Sequence, residues 1–228
     1  MMKNIFFKSF SISGAPRAKR SESRAQSLVE FAIALPVLML LLLGMVEFGF
    51  MLNTYLSIQD AARATARRYS TINPFNPDDT VNMDYFEGAA LNVVDTLAPP
   101  EDPAARQISM DPTRDNVLIS LISVKVDEAP DPNTITDISR LPEGFSHYKL
   151  YDDTDPPTNF SDGVIVSQLT ANSADPTNSG LLIVEVYYGY EGVLNLPFTT
   201  PFMSETNPVT LYASAIMPTT YVKPLRTP

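Results

Sequence analysis

The chemistry open to this chain is bounded first by what it lacks. Its 228 residues contain no cysteine and a single histidine, His147. That removes thiolate nucleophiles, disulfides, zinc–cysteine sites and every two-histidine metal motif. No G-x-S-x-G, phosphate loop or H-E-x-x-H is present. Carboxylates are the reagents that remain. From Ser70 onward 22 acids fall in 159 residues, so chance pairs arise everywhere and no glycosidase-like dyad stands out. The densest group is Asp152, Asp153, Asp155 and Asp162; it offers oxygen ligands but lacks the Asp-x-Asp-x-Asp-Gly spacing of a calcium loop. It reads as a solvated loop, and His147 beside Tyr148 reads as a surface or packed residue. The expectation is a protein that is not an enzyme, with no catalytic residue, metal or cofactor assigned.

Two other carboxylates are more informative because of where they stand. Between Arg24 and Asp60 the only charged side chains are Glu30 and Glu47, and Phe31–Val46 is 16 residues without a charge. That run makes about 24 Å of helix, short of the roughly 30 Å of a bilayer core. Apolar character resumes after Glu47 as FGFMLNTYLSI, which supplies the missing length. Leucine and methionine on every face fit a membrane span better than a soluble core helix. A carboxylate inside such a span costs on the order of 2–3 kcal/mol, so Glu30 wants a partner. Two readings of Glu30 stand side by side: a cation one helical turn away, or snorkelling to the cytoplasmic headgroups. Glu47 lies 17 residues later, about 25 Å along the helix and about 100° around it, so one counter-charge cannot serve both. Either it meets a neighbouring helix in an assembly or it is an acid in water at the outer interface; the second is slightly favoured.

The charge is divided unevenly. Residues 1–25 carry +5, with Lys3, Lys8, Arg17, Lys19, Arg20 and Arg24 against Glu22; residues 26–69 are neutral; residues 70–228 carry −15. The net −10 argues against a nucleic-acid partner, whose phosphates need clustered Lys and Arg. Basic residues before the span and an acidic body after it predict a cytoplasmic N-terminus and an extracytoplasmic C-terminal domain. A cleaved secretory signal fits less well, because the basic start is long and two glutamates interrupt the apolar region.

The residues of this stretch carry a resemblance. Arg24-Ala25-Gln26-Ser27-Leu28-Val29-Glu30-Phe31-Ala32, then Leu35-Pro36, then Gly44-Met45-Val46-Glu47-Phe48-Gly49, then Gln59-Asp60-Ala61-Ala62-Arg63 resembles the TadE-like family. Its members are minor pilin-like (pseudopilin) components of the tight-adherence, Flp-type pilus system, a branch of the type IV pilus machinery. The resemblance implies a bacterial cytoplasmic-membrane protein, single-pass, whose partners are the membrane, other pilin or pseudopilin subunits and pilus assembly-platform proteins. It also implies a prepilin peptidase acting at Ala25–Gln26, where relatives usually carry Gly before the cut. Glu30 and Glu47 would then be assembly or register residues. A cut there would make Glu30 the fifth residue, one turn from the new α-amino group.

Three segments are expected: a basic leader at 1–25, a transmembrane and stalk helix at 26–72, and an exported, proline-rich domain at 73–228. The fold class is α+β, a pilin-like arrangement of one long helix, a small antiparallel sheet and one further helix. That further helix is expected over Val81–Leu97, where apolar residues recur at helical spacing before Pro99-Pro100. Strands are expected at Val117–Asp127, Leu181–Tyr190 and Val209–Met217, with a shorter one at Phe145–Tyr151. Residues 128–178, rich in Pro, Asp and Asn, are expected to be mostly loop, with a short element of open type at Val164–Leu169. Two functions from different classes follow. One is a minor pilin that primes, caps or anchors a fibre; the other is an unprocessed single-pass protein displaying an acidic adhesion or scaffold domain. The mature N-terminus discriminates them.

Overall fold

The computed structural model describes residues 22–102, 104, 107–127, 134–142, 144, 146–172 and 179–221. The expected leader, up to residue 21, lies outside them. The chain divides into two compact units, Met1–Val46 and Glu47–Pro228. Helix α1 (Glu22–Tyr69) contributes to both.

In the first unit, α1 is apolar on every side. From Gln26 to Val46 each residue is exposed except Leu43 and Gly44, which are half-buried. This is the one helix among the described residues long and apolar enough to cross a membrane. Leu, Met, Val and Phe left in water on all faces would be strongly unfavourable, so this surface is suited to hydrocarbon.

In the second unit α1 acquires two faces. Its fully buried residues run Glu47, Thr54, Ile58, Ala61, Ala62, Thr65 and Ala66, with Met51, Tyr55 and Tyr69 partly buried against the same core, a mostly three- and four-residue spacing that marks one face, a buried stripe. Helix α2 (Met83–Leu97) packs on this stripe through Tyr85, Phe86, Ala89, Ala90 and Val93. Its start is set by Asn82, whose side chain accepts from the Asp84 amide at 3.0 Å. Alanines on both helices permit close approach, and two hydrogen bonds tie them: Thr65 Oγ1 donates to Asn92 Oδ1 (3.1 Å), and the Tyr85 hydroxyl donates to the Tyr69 carbonyl (2.9 Å).

The sheet is antiparallel in the order β2–β1–β4–β5, formed by β1 (Asn116–Asp127), β2 (Thr134–Leu141), β4 (Ser179–Tyr190) and β5 (Val209–Thr219). A two-residue strand, β3 (Tyr148–Lys149), pairs with Leu118 and Ile119 of β1 where β2 no longer reaches. One face aligns Val117, Ile119 and Leu121 with Val186, Val184 and Leu182, and packs in the same core as α1 and α2. The other face places Ile122, Val124 and Ile183 against Ile165 of helix α3 (Asp162–Asn172). Covered on both sides, β1 is buried almost end to end, which is why its sequence is nearly continuous in apolar residues.

The α+β expectation holds, with the long helix and the antiparallel sheet in place. Among the described residues there are two further helices rather than one, because Val164–Leu169 belongs to α3. The middle is also less loop-like than expected: it contains β2 as well as α3. The short strand expected at Phe145–Tyr151 contracts to β3, and Phe145 itself lies outside the described residues. The second compact unit begins at Glu47, so the distal half of the expected stalk folds with the body.

Candidate functional site

Glu47 opens the buried stripe of α1, directly after the last residue of the uncharged run. Its side chain is 1% exposed. Burying a carboxylate costs several kcal/mol unless donors replace its water, and here three do. The Tyr190 hydroxyl donates to Oε1 at 2.8 Å, the Val193 amide to Oε1 at 2.7 Å and the Leu194 amide to Oε2 at 2.8 Å. All three come from the end of β4 and the loop that leads to β5.

The loop is shaped for this capture. A Cβ at Gly192 would lie 3.2 Å from the Met203 carbonyl oxygen, a tight contact that the backbone would have to ease, and 3.5 Å from Glu47 Oε1. Asn195 takes a left-handed φ of 46°, a conformation asparagine tolerates. Beyond it the amides of Thr199 and Thr200 donate to the Leu196 carbonyl, and those of Phe202 and Met203 to the Thr199 carbonyl, giving two successive turns. The loop is an ordered clasp around the Glu47 carboxylate.

Two further buried polar groups brace the body. Asn116 accepts from the amides of Val117, Leu150 and Tyr151 and donates to the carbonyls of Tyr151 and Thr154, fixing β3 and its following loop to β1. Beside it, buried Asp115 accepts from the Asp111 and Gly189 amides, both at 2.7 Å. Burial pushes the Asp115 carboxyl above its usual range, against the lowering effect of those two bonds and of Arg114. Arg114 also pairs with Glu191, at the root of the clasp. On the opposite face Glu185 accepts from Thr158 Oγ1 (2.5 Å), the Asn159 amide (2.9 Å) and the Tyr212 hydroxyl (2.9 Å). In each case a carboxylate or amide is used to hold a loop.

The residues singled out in the sequence fall in different surroundings. Ala25 and Gln26 are both helical. Gln26 Nε2 donates to Glu30 Oε1 at 3.1 Å, a bond across one helical turn on an exposed surface. Glu47 is not the water-exposed interfacial acid the sequence favoured; it is enclosed by its own body. Nothing in the sequence pointed to Tyr190, Gly192, Val193 and Leu194 as its partners, since two of the three donors are backbone amides that leave no side-chain signature. His147 is largely buried, with Nδ1 2.9 Å from Ser146 Oγ and Nε2 3.5 Å from Asp155 Oδ1. Asp162 of the acidic group bonds Arg140 at 2.5 Å. Among the described residues no group of three or more His, Asp or Glu is placed to hold a metal ion.

One groove, of about 650 Å³, lies in the body between Arg63, Arg67 and Arg68 of α1 and Ser214–Met217 of β5. It offers three guanidinium groups beside the edge strand β5.

A search of curated proteins and a search of solved structures each returned no match. A family model described as TadE-like protein matches residues 25–67. The match takes in the exposed apolar helix, Glu30, Glu47 and the start of the stripe that packs on the body, and it stops short of α2 and the sheet. The segment from 25 to 67 is thereby TadE-like.

Proposed function

We propose that this protein is a non-enzymatic, membrane-anchored, minor pilin-like component of a tight-adherence, Flp-type pilus assembly. Helix α1 spans the cytoplasmic membrane with its N-terminus inside, and the acidic body is displayed outside to meet pilin subunits or platform proteins. The observation that carries the reading is the coincidence of the TadE-like segment with a helix that is exposed and apolar through Val46 and amphipathic from Glu47. In this reading a prepilin peptidase cuts at Ala25–Gln26, and Glu30 sets the register of the helix among its neighbours. Gln26 then carries the new α-amino group one turn from Glu30, where a cation offsets the cost of an acid in the span.

The test is the mature N-terminus, read by mass spectrometry of the membrane and sheared-fibre fractions. A chain starting at Gln26 in fibres supports the pilin reading. An intact leader in extracellular fibres, or unchanged processing of Ala25→Arg, overturns the peptidase step. The second reading, a permanent anchor displaying an adhesion or scaffold domain, draws on Glu47: both its oxygens are engaged inside its own subunit and leave only Glu30 for a partner.

A further inference from the structure

The clasp is bonded to Glu47, the residue that directly follows the uncharged run in the chain. The loop is free of charge, as is the longer run from Thr206 to Val222 that includes β5. Residues 192–204, GVLNLPFTTPFMS, hold no charge, in a region with 29 charged side chains over 159 residues. Val193 is 53% exposed and Phe202 69% exposed, although the loop they belong to is ordered by its turns and by Glu47. On α1 itself Phe48 (57% exposed) and Leu52 follow Glu47, four residues apart and outside the buried stripe.

We propose that the 192–204 loop is a second membrane contact: its apolar side chains, Val193 and Phe202 foremost, insert into the outer interfacial layer of the bilayer beside the span. The proposal rests on the membrane-anchored reading above. Lipid is the occupant because the loop carries no charge to be desolvated and is bonded to Glu47, the next residue in the chain after the uncharged run. Glu47, the acid that would otherwise face the same layer, is already satisfied by three donors. An apolar, aromatic-bearing surface at this depth gains by leaving water, as interfacial segments do. It also limits the ways the body can swing about its helix, since loop and helix would then hold the membrane at two points.

The chain contains no tryptophan, so a single introduced one reports its own surroundings. The full chain is reconstituted in phosphatidylcholine vesicles with and without bromine on the acyl chains, as Phe202→Trp, Val193→Trp, Leu41→Trp and Leu91→Trp variants. Leu41 marks the span, and Leu91, exposed on α2, marks the body. The expected result is blue-shifted, bromine-quenched emission from Leu41→Trp, Phe202→Trp and Val193→Trp, and red, unquenched emission from Leu91→Trp. Unquenched Leu41→Trp overturns the anchoring and the loop contact together. Quenched Leu41→Trp with red, unquenched emission at both loop positions overturns the loop contact and leaves the anchoring standing. Blue but unquenched loop emission that grows with protein density assigns the patch to a second copy and overturns the lipid contact. Quenching of Leu91→Trp to the same extent places the whole body on the bilayer and removes the special role of the loop.

Discussion

Glu47 and Val193 stand 146 residues apart in the chain, yet the Val193 amide donates to Glu47 Oε1 across 2.7 Å. With Leu194 and Tyr190 making parallel bonds, Glu47 is locked to the end of β4 and the loop between β4 and β5. The second unit therefore closes on itself at its first residue.

Removing the carboxylate should loosen that closure. Glu47→Ala leaves two amides and one hydroxyl without an acceptor, and water can reach only part of them. The expected loss is about 2–4 kcal/mol of body stability, since each stranded buried group costs about 1–3 kcal/mol and some relax. Tyr190→Phe removes one donor and should cost about 1 kcal/mol. Urea denaturation of a fragment starting at Glu47 measures both, and faster hydrogen exchange at the Val193 and Leu194 amides localises the effect. Unchanged exchange at those two amides in Glu47→Ala would show that the clasp does not depend on the carboxylate.

The same bond sets where the body can be cut. A fragment beginning at Glu47 retains the clasp, whereas one beginning at Asn53 keeps the sheet, α2 and most of the stripe but loses its acceptor. The shorter fragment should fold, with its β-sheet circular dichroism signal preserved, and melt earlier than the longer one. Equal melting temperatures would mean that residues 47–52 add nothing to the body.

Gly192 tests the clasp from the loop side. Gly192→Ala drives a methyl to 3.2 Å from the Met203 carbonyl, and both neighbours are held by hydrogen bonds. A cost of about 1–2 kcal/mol is expected, typical of overpacking against backbone. Gly163→Ala in α3 meets nothing within 4 Å and should be neutral or stabilising by up to about 1 kcal/mol. Thermal melts of the two variants should move in different directions.

The parts of this fold that were legible in the sequence are those whose pattern is local. The exposed apolar helix, α2 with its three- and four-residue spacing, and the β-branched runs of β1, β4 and β5 announce themselves within a dozen residues. Strand β2 did not, because it is an edge strand that is mostly exposed or half-exposed, with Asp137 and Arg140 among its apolar residues, and its register against β1 shifts at Lys125/Val126. Helix α3 carries Val164-Ile165-Val166, a strand-like triplet; packing of Ile165 against the second face of the sheet overrides that propensity. The buried acids were illegible for another reason. Glu47 and Glu185 are satisfied by groups 26 to 147 residues away, so nothing near them in sequence separates them from the surface acids.

Alkaline pH should unfold the body through its tyrosines. Burial, the largest cause, raises Tyr212 to about 12, and the nearby Glu185 charge adds to it; burial also raises Tyr187 and Tyr85. A hydroxyl whose folded pKa lies above its unfolded value of about 10 favours the folded state at low pH and loses that contribution as pH climbs between the two values. Stability should therefore hold to about pH 10 and fall steadily from there towards pH 12. Ultraviolet titration should show a late group of tyrosines, which Tyr212→Phe reduces by one. Titration of every tyrosine at its ordinary pKa while the body is folded would contradict the burial of these rings.

Glu30 and Glu47 should fail in different ways, and the difference separates assembly from folding. Glu30 is exposed, belongs to the first unit and bonds Gln26 one turn away, so Glu30→Ala should leave the melting of the body untouched. It should also insert as well as the wild type or better, because an acid has been taken out of an apolar helix. If Glu30 meets a cation of the mature N-terminus or of a neighbouring helix, the variant should be depleted from sheared fibres or from partner complexes while its membrane level is maintained. Glu47→Ala should instead lower the melting of the body first, and any loss from fibres should shrink as temperature is lowered and the body refolds. Comparing each variant's fibre-to-membrane ratio at two temperatures reads both effects in one experiment. A Glu30→Ala chain that enters fibres at the wild-type ratio would end its register role, and a temperature-independent defect in Glu47→Ala would assign that acid an assembly contact beyond the clasp.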